Sequence, residues 1–493
     1  MKPVTAGRPL LALTYRAPES APVWPFMLVS CIQRMAPRTL TRERLTRYGL
    51  PLLACVGLTL LRTHDIARTF WLFGDQILYW DSALLPFSQQ PLAGPEQHVG
   101  GYALGPTYYY LVWLSRVVVG PFYDNLPHAG AIAQVVLHSA LDALLLFAIW
   151  RKSGSVSLAA AALVLITTAP YDLALSATLW NPSLASAVVK GATALVLLGW
   201  PERSLVGVGV VAGLAWVSLH FHVPAVFCVA SLLAALVVIP LRDREYRSAG
   251  LRTGVIAGVV LFLQLPYLAH RLMSGPGEEA GGAVISGSLA QVLFGGAPLR
   301  VVDSAAGLAQ AVERIQADPW QAAWLGWALA VCTVIVLIRY RRDPTLLAVT
   351  VLPLVVSVAG YALWVGTFDE YYYLPQMTAA VLTMLLGITA LAGPYRHYVG
   401  VAALVLAVAI VPARVRRAET IHKMPGYDLL VEGSKAILNR GVSVRAIRAD
   451  FLPPGADPEY LYTVLGGRLD RNGEWVARIA DDGLVFYDQT NPR

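Results

Sequence analysis

Apolar runs of nearly membrane-spanning length recur along most of this chain, and they restrict its fold more than any other feature. They fall near residues 48–62, 128–150, 155–170, 183–199, 204–219, 223–241, 253–269, 320–338, 344–364, 374–392 and 397–412. Inside a bilayer every backbone N–H and C=O must find its partner within the protein, so such runs form helices. A hydrocarbon core of ~30 Å takes ~20 helical residues to cross, and several runs sit at the short end of that range. The expected fold is an all-α polytopic membrane protein with about eleven transmembrane helices. At 56% hydrophobic and 14% charged residues, with mean hydropathy +0.56, the chain is far more apolar than a soluble protein of its length.

The formal charge of +7 and pI near 9.2 invite a nucleic-acid reading. The arginines, however, lie in short loops between spans, as the positive-inside rule requires, and no basic domain with interleaved aromatics exists. No nucleic-acid partner is expected. Cys31, Cys55, Cys228 and Cys332 have neither CxxC nor Cys/His spacing. They read as small apolar side chains, and no metal site is expected. Residues 1–44 read as a disordered cytoplasmic tail. Met35, followed by a basic flank and the first span, is an alternative start.

Basic loops orient the spans. The Arg38–Arg47 segment puts the N-terminus in the cytoplasm and the loop after the first span outside. If Tyr108 to Val119 does not cross but lies beside the membrane, then Arg151–Lys152, Arg242–Arg247, Arg339–Arg342 and Arg396 all fall inside. That parity collects four outer features: the Asp75 loop, the Trp180-Asn181-Pro182 turn, the His220-Phe221-His222 turn and the Phe368–Tyr373 turn. The long connection from His270 to Trp320 joins them, and its Gly-rich part at 275–298 reads as a mobile loop able to cover a site. After residue 412 a helix-like YDLLVEGSKAILNR and strand-like VSVRAI, WVARIA and GLVFYD predict a small extracytoplasmic α/β domain over 413–493.

Within the first outer loop, Gly74-Asp75-Gln76 opens a predicted helix. At ~100° per residue Asp75, Tyr79 and Ser82 share one face and Ile77, Trp80 and Leu84 the other, with Asp81 nearer the apolar side. Asp75 reads either as a general base or as a first-turn acid that complements the helix dipole. Asp81 is the alternative base, or an interfacial charge. Tyr108–Tyr110 reads as an aromatic belt at headgroup level before it reads as a substrate wall. His220, His222, His270 and Arg271 offer donors for a phosphate headgroup, or else snorkel to the interface. Inside predicted spans, His138 and Asp142 stand one helical turn apart and can satisfy each other, with Lys190 a further partner for Asp142. Asp172 and Trp180 are open between a site and a structural role.

The order of these motifs resembles a known family. A GDQ step after the first span, a short helix, a Pro/Gly segment, GPTYYYL at 105–111, WNPS at 180–183, LPYL at 265–268 and YYYLP at 371–375 are similar to the GT-C class of membrane glycosyltransferases. Within that class the pattern resembles bacterial kin of the protein O-mannosyltransferases and of aminoarabinose transferase. The resemblance covers about residues 45–412, leaving the two ends outside it. It implies a GT-C-like catalytic domain in a bacterial inner membrane, with juxtamembrane helices in the first outer loop. It further implies inverting transfer of a sugar from a polyprenyl-phosphate donor to an acceptor hydroxyl on a glycan, lipid or protein, with Asp75 as base. No cofactor is implied beyond that donor substrate. The residues that resemblance and topology assign to the donor headgroup are His220, His222, His270, Arg271 and Tyr372. Those assigned to substrate are Tyr79, Glu96, His98, Tyr102, Trp180, Asn181 and Asp369. A transporter or flippase for a lipid-linked sugar is the alternative, although the internal repeats common in transporters are not evident.

Overall fold

The computed structural model describes residues 42–95, 105–274, 297–317, 322–362 and 369–489. The chain divides into two units, Met1–Leu50 and Pro51–Arg493. In the first, residues 42–50 are described and are helical. The second is mostly helical, with several apolar helices and a small C-terminal sheet.

Most of its long helices follow the apolar runs; Ala297–Ala317 does not, and it makes a helix of the described part of the connection between His270 and Trp320. Helix α1 (Arg42–Thr63) begins in the first unit. Two short helices come next, α2 (Gly74–Leu84) and α3 (Thr107–Val118). Then come α4 (His128–Ser153), α5 (Val156–Thr167), α6 (Pro170–Ser176), α7 (Asn181–Leu197) and α8 (Leu205–Phe221). The series continues with α9 (Val226–Arg242), α10 (Tyr246–Ser274), α11 (Ala297–Ala317) and α12 (Trp324–Arg339). It closes with α13 (Pro344–Val349), α14 (Val351–Ala362), α15 (Leu374–Ala392) and α16 (Arg396–Ala418).

By length and composition, five helical stretches among the described residues suffice to cross a membrane: Tyr48–Thr69, His128–Ser153, Val223–Arg242, Tyr246–Met273 and Glu370–Ala418. The α5–α6 pair, bent by 68°, makes a sixth if it is one span, and α8, α12 and α14 are shorter apolar helices. Helix α3, at 12 residues, reaches only ~18 Å and is too short to cross.

Every residue of α7 is buried. It packs along α4 on one side and α8 on another, while α5 packs on α16 and α12 on α15. The outer helices are inverted relative to a soluble fold: Leu52, Leu53 and Leu60 on α1, Phe262 on α10 and Trp327 on α12 are all exposed. Apolar surface on that scale fits lipid or a partner, not water.

The basic-loop ends are trimmed by local chemistry. Ser155, Ser204 and Asp343 each accept a hydrogen bond from a backbone N–H in the first turn of the next helix. Gly154 ends α4 with φ +70°, a left-handed conformation that glycine takes without strain.

The C-terminal region contains α17 (Tyr427–Arg440), β1 (Val444–Ala449), α18 (Pro458–Val464), β2 (Trp475–Ile479) and β3 (Val485–Gln489). Strand β1 pairs parallel to β2, with Ile447 opposite Ala477, and the connection through α18 makes that parallel pairing possible. β2 and β3 are antiparallel, with Ile479 opposite Val485. This region docks on the segment between α1 and α4: Tyr427 lies edge-on to Phe70 at 5.2 Å and its hydroxyl is 3.1 Å from His128 Nδ1. Lys435 pairs with Asp124 at 3.1 Å.

Candidate functional site

Helix α2 presents Asp75 at its first turn, where the helix dipole favours an anion. Gln76 fixes that turn from both ends of its amide. Its Oε1 accepts from the Phe73 N–H at 3.3 Å, and its Nε2 donates to Leu179 O at 3.4 Å. Asp75 is exposed, and Trp180 Nε1 donates to its Oδ2 at 3.2 Å. The carboxylate opens into a cleft of about 260 Å³ walled by Trp71, Phe73, Trp180 and His422. Trp71 stacks on Phe73 at 4.0 Å, and the His422 ring stands 5.2 Å from Trp71 and 5.5 Å from Trp180. Flat apolar walls around one open carboxylate suit a sugar ring or an isoprenoid tail, whose faces are apolar while the sugar's edges are polar.

The Trp180 turn is itself held from behind. Gln134 on α4 donates through Nε2 to Thr178 O at 3.0 Å and to Ser183 Oγ at 2.7 Å. Tyr371 lies 4.8 Å from the Trp180 ring, and His222 lies 5.7 Å from Tyr371 and 5.4 Å from Tyr372. Thus Asp75, Trp180, His222 and Tyr371, which come from four separate turns in the sequence, form one continuous group. Tyr372 is buried, its carbonyl accepting from Tyr361 Oη at 2.9 Å.

His422 was not singled out by sequence reasoning. It follows α16 in a short irregular segment and has φ +46°, a conformation that non-glycine side chains adopt at a cost. Its Nδ1 is buried with no hydrogen-bond partner, and burial lowers its pKa below the ordinary histidine value. The ring on the cleft wall is therefore neutral near pH 7. Its only sequence signal is a lone histidine just beyond the last apolar run.

Several expected contact residues do structural work instead. Tyr79 is buried and donates through its hydroxyl to Asn181 Oδ1 at 2.9 Å, while Asn181 Nδ2 donates to Phe221 O at 2.6 Å. Burial, with the Asp75 charge adding to it, raises the Tyr79 pKa well above its usual value, so its proton stays in that bond. The inward face of α2 is Gln76, Tyr79, Trp80, Ser82 and Ala83, whereas Asp75, Leu78, Asp81 and Leu84 are exposed. This corrects the expected split into a polar Asp75–Tyr79–Ser82 face and an apolar Ile77–Trp80–Leu84 face. Gln76, Tyr79 and Ser82 turn inward because each finds a hydrogen-bond partner there, in Leu179 O, Asn181 Oδ1 and Gln90 Oε1. The aromatic-belt reading of Tyr108–Tyr110 is corrected too: Tyr108 and Tyr109 are buried beneath α2, with Tyr108 at 4.9 Å from Tyr79.

Asp81, the alternative base, is engaged from the C-terminal region. Tyr460 Oη donates to its Oδ1 at 2.8 Å, and burial followed by the Asp81 interaction raises the Tyr460 pKa, keeping that proton in place. His220 is fully buried, with Thr107 Oγ1 at 2.7 Å from Nδ1 and Gln264 Nε2 at 3.3 Å from Nε2. Neither ring nitrogen is left for a headgroup. A Cβ at Gly105 would collide with the His220 ring, so that close approach requires glycine. His270 and Arg271 end α10, and neither lines the Asp75 cleft. Asp369 lines a different cavity of about 350 Å³, with Arg314 and Tyr373. Glu96, His98 and Tyr102 lie outside the described residues, as does most of the Gly-rich connection.

A second group of charges lies inside the bundle. Arg62 contacts Asp142 at 2.8 Å and Asp172 at 3.0 Å; Lys190 contacts Asp142 at 3.0 Å and Asp172 at 2.6 Å. All four side chains are buried or nearly so. The expected mutual satisfaction of His138 and Asp142 does not occur, since both His138 ring nitrogens lack a hydrogen-bond partner. A carboxylate in apolar surroundings gains more from two cations than from a neutral imidazole, and Asp142 takes the cations. Asp172, open at the sequence level, belongs to this closed quartet. Among the described residues no group of three or more His, Cys, Asp or Glu is placed to hold a metal ion.

No family model matches the chain, and no curated protein does. Among solved structures it is similar to ArnT from Cupriavidus metallidurans, in a crystal structure bound to undecaprenyl phosphate. The two are 12% identical, and the match covers 87% of this chain and 92% of that one with a TM-score of 0.44. That likeness is distant, and the chemistry is assigned from the cleft itself.

Proposed function

We propose that this protein is a multi-pass enzyme of a bacterial inner membrane, with about eleven spans, that transfers a sugar from a polyprenyl phosphate to an acceptor hydroxyl. The carrying observation is the exposed Asp75 carboxylate, held by one indole N–H in an aromatic cleft beside an apolar bundle. Asp75 takes the proton of the acceptor hydroxyl as its oxygen attacks the anomeric carbon. The bond from that carbon to the phosphate oxygen breaks, and the polyprenyl phosphate leaves with the electron pair. A single attack from the side opposite the leaving group inverts the anomeric centre.

The departing phosphate needs positive charge or donors nearby. We assign that role to Arg271, near the end of α10. Gln264 ties that helix to His220, and Arg271 lies two turns farther along the same face, ~10 Å on. In this arrangement the N-terminus is cytoplasmic and the cleft opens outside, with the C-terminal region beside it. Glu96, His98, Tyr102 and Asp369 are proposed as substrate contacts, to donor or acceptor.

The test is transfer from a polyprenyl-phosphate sugar by membranes that contain Asp75→Asn. Transfer at the unsubstituted rate removes Asp75 as base. Movement of the lipid-linked sugar across the membrane with no glycosidic bond formed supports a transporter instead.

A further inference from the structure

A cavity of about 330 Å³ lies at the opposite end of the bundle from the Asp75 cleft, where α4, α12 and α15 end and α16 begins. His128, at the start of α4, touches the loop that leads to the cleft, and Lys152 near its end is ~36 Å farther along the helix. That separation is about the thickness of a bilayer core. The two sites therefore serve different membrane faces.

Two chemistries are layered in this cavity. Its floor is apolar and buried, formed by Leu158, Leu197, Leu382 and Leu385. Its rim is basic and exposed: Lys152, Arg339, Arg396 and His397. Asp343 is the one carboxylate in the lining and is engaged by Lys152 at 3.0 Å. Neither Arg339 nor Arg396 is in an ion pair among the described residues, and the Arg339 guanidinium lies 5.9 Å over the Tyr340 ring. Positive loops alone would orient the protein without a cavity. Here two arginines without carboxylate partners stand over a leucine floor.

We infer that this cavity binds an anionic phospholipid of the adjoining leaflet, with its phosphate between Arg339 and Arg396 and the start of one acyl chain on the leucine floor. A phosphate diester carries the charge the rim lacks, and the chain covers the apolar surface. A volume near 330 Å³ admits a headgroup and part of one chain, while the remainder of the lipid stays in the bilayer. The inference stands apart from the sugar-transfer reading, because no residue is shared with the Asp75 cleft.

The test is native mass spectrometry of the full chain released from nanodiscs containing equal phosphatidylglycerol and phosphatidylcholine. Preferential retention of phosphatidylglycerol is expected, weakened about fivefold by Arg339→Gln and again by Arg396→Gln. Ala390→Trp, which fills the cavity and leaves the rim charges in place, is expected to remove it as well. Unchanged thermal melting of the variants separates lost binding from lost folding. Equal retention of the two lipids overturns the inference, as does undiminished phosphatidylglycerol on either arginine variant. Displacement by glycerol 3-phosphate alone also overturns it, marking a free-phosphate site, and so does retention of a second copy of the chain in place of lipid.

Discussion

Asp75 and the Asp142–Asp172 pair are the same chemical group in opposite settings. Asp75 is exposed at the start of a helix, with an indole N–H at 3.2 Å and an aromatic cleft in front of it. Asp142 and Asp172 are buried between Arg62 and Lys190, each touching both cations at 3.0 Å or less. A carboxylate buried and held by two cations is stabilised as the anion and is a weak base. It instead fixes four helices, α1, α4, α6 and α7, in one arrangement. Among charges beside a membrane, the chemically available one is the less buried. Buried charge is commonly a sign of function within a membrane, but here it marks the frame.

The largest expected effect is on the open side. Asp75→Asn keeps the shape and most of the Trp180 contact while removing the base, so transfer is expected to fall by ~10²–10⁴-fold with little change in melting temperature. Asp142→Asn reverses that pattern. It leaves Arg62 and Lys190 sharing Asp172 alone, and a broken buried pair costs ~3–5 kcal/mol. The measurable loss is of folded protein in the membrane, by thermal melting. Asp142→Asn with Lys190→Gln restores the charge balance and is expected to regain part of that stability. A double variant less stable than Asp142→Asn alone would break the account of a balanced quartet.

Smaller effects refine the boundary between the two settings. Trp180→Phe keeps the aromatic wall but removes the donor to Asp75, a bond worth ~1 kcal/mol at an exposed site, so transfer should drop about fivefold. Tyr460→Phe removes the donor to Asp81 and is expected to cost stability of the same order, with transfer nearly unchanged. If Tyr460→Phe instead abolishes transfer while the fold persists, Asp81 belongs to the chemistry and the comparison must be redrawn around two carboxylates.

How much of this was legible in the sequence follows from the range of each signal. Apolar runs are local, and most of the long described helices follow them, as do the C-terminal helix and strands. The meeting of Asp75 with Trp180 and Tyr371 was foreshadowed by loop parity, which places turns on a common side without giving distances. The partner of Asp81 was not legible, because Tyr460 lies 379 positions away and carries no pattern of its own. Nor was the inward turn of Tyr79. Amphipathic periodicity assumes that polar side chains keep to the outer face, an assumption that fails where the interior supplies them with hydrogen-bond partners. The His138–Asp142 expectation failed for a related reason: helical spacing names neighbours on one helix, while Arg62 and Lys190 arrive from others.

The smallest expected effect concerns His422, the unforeseen wall of the cleft. Burial lowers its pKa in the folded protein below the unfolded histidine value of ~6.5. Between those two values the unfolded chain binds a proton that the folded one refuses, so stability rises with pH across that window and falls on acidification below ~6.5. His422→Gln keeps a polar side chain and removes the titration, and it is expected to flatten the part of the melting-temperature decline between pH 7 and pH 5 that His422 contributes. Other titrating groups outside the spans leave a residual slope. A slope unchanged by His422→Gln would mean that burial does not shift the ring, and a steeper slope would mean that the folded state holds the imidazolium, a charge on the wall of the Asp75 cleft. The cleft would then resemble the buried quartet, a carboxylate held by a cation, and the distinction between an open site and a closed frame would be lost.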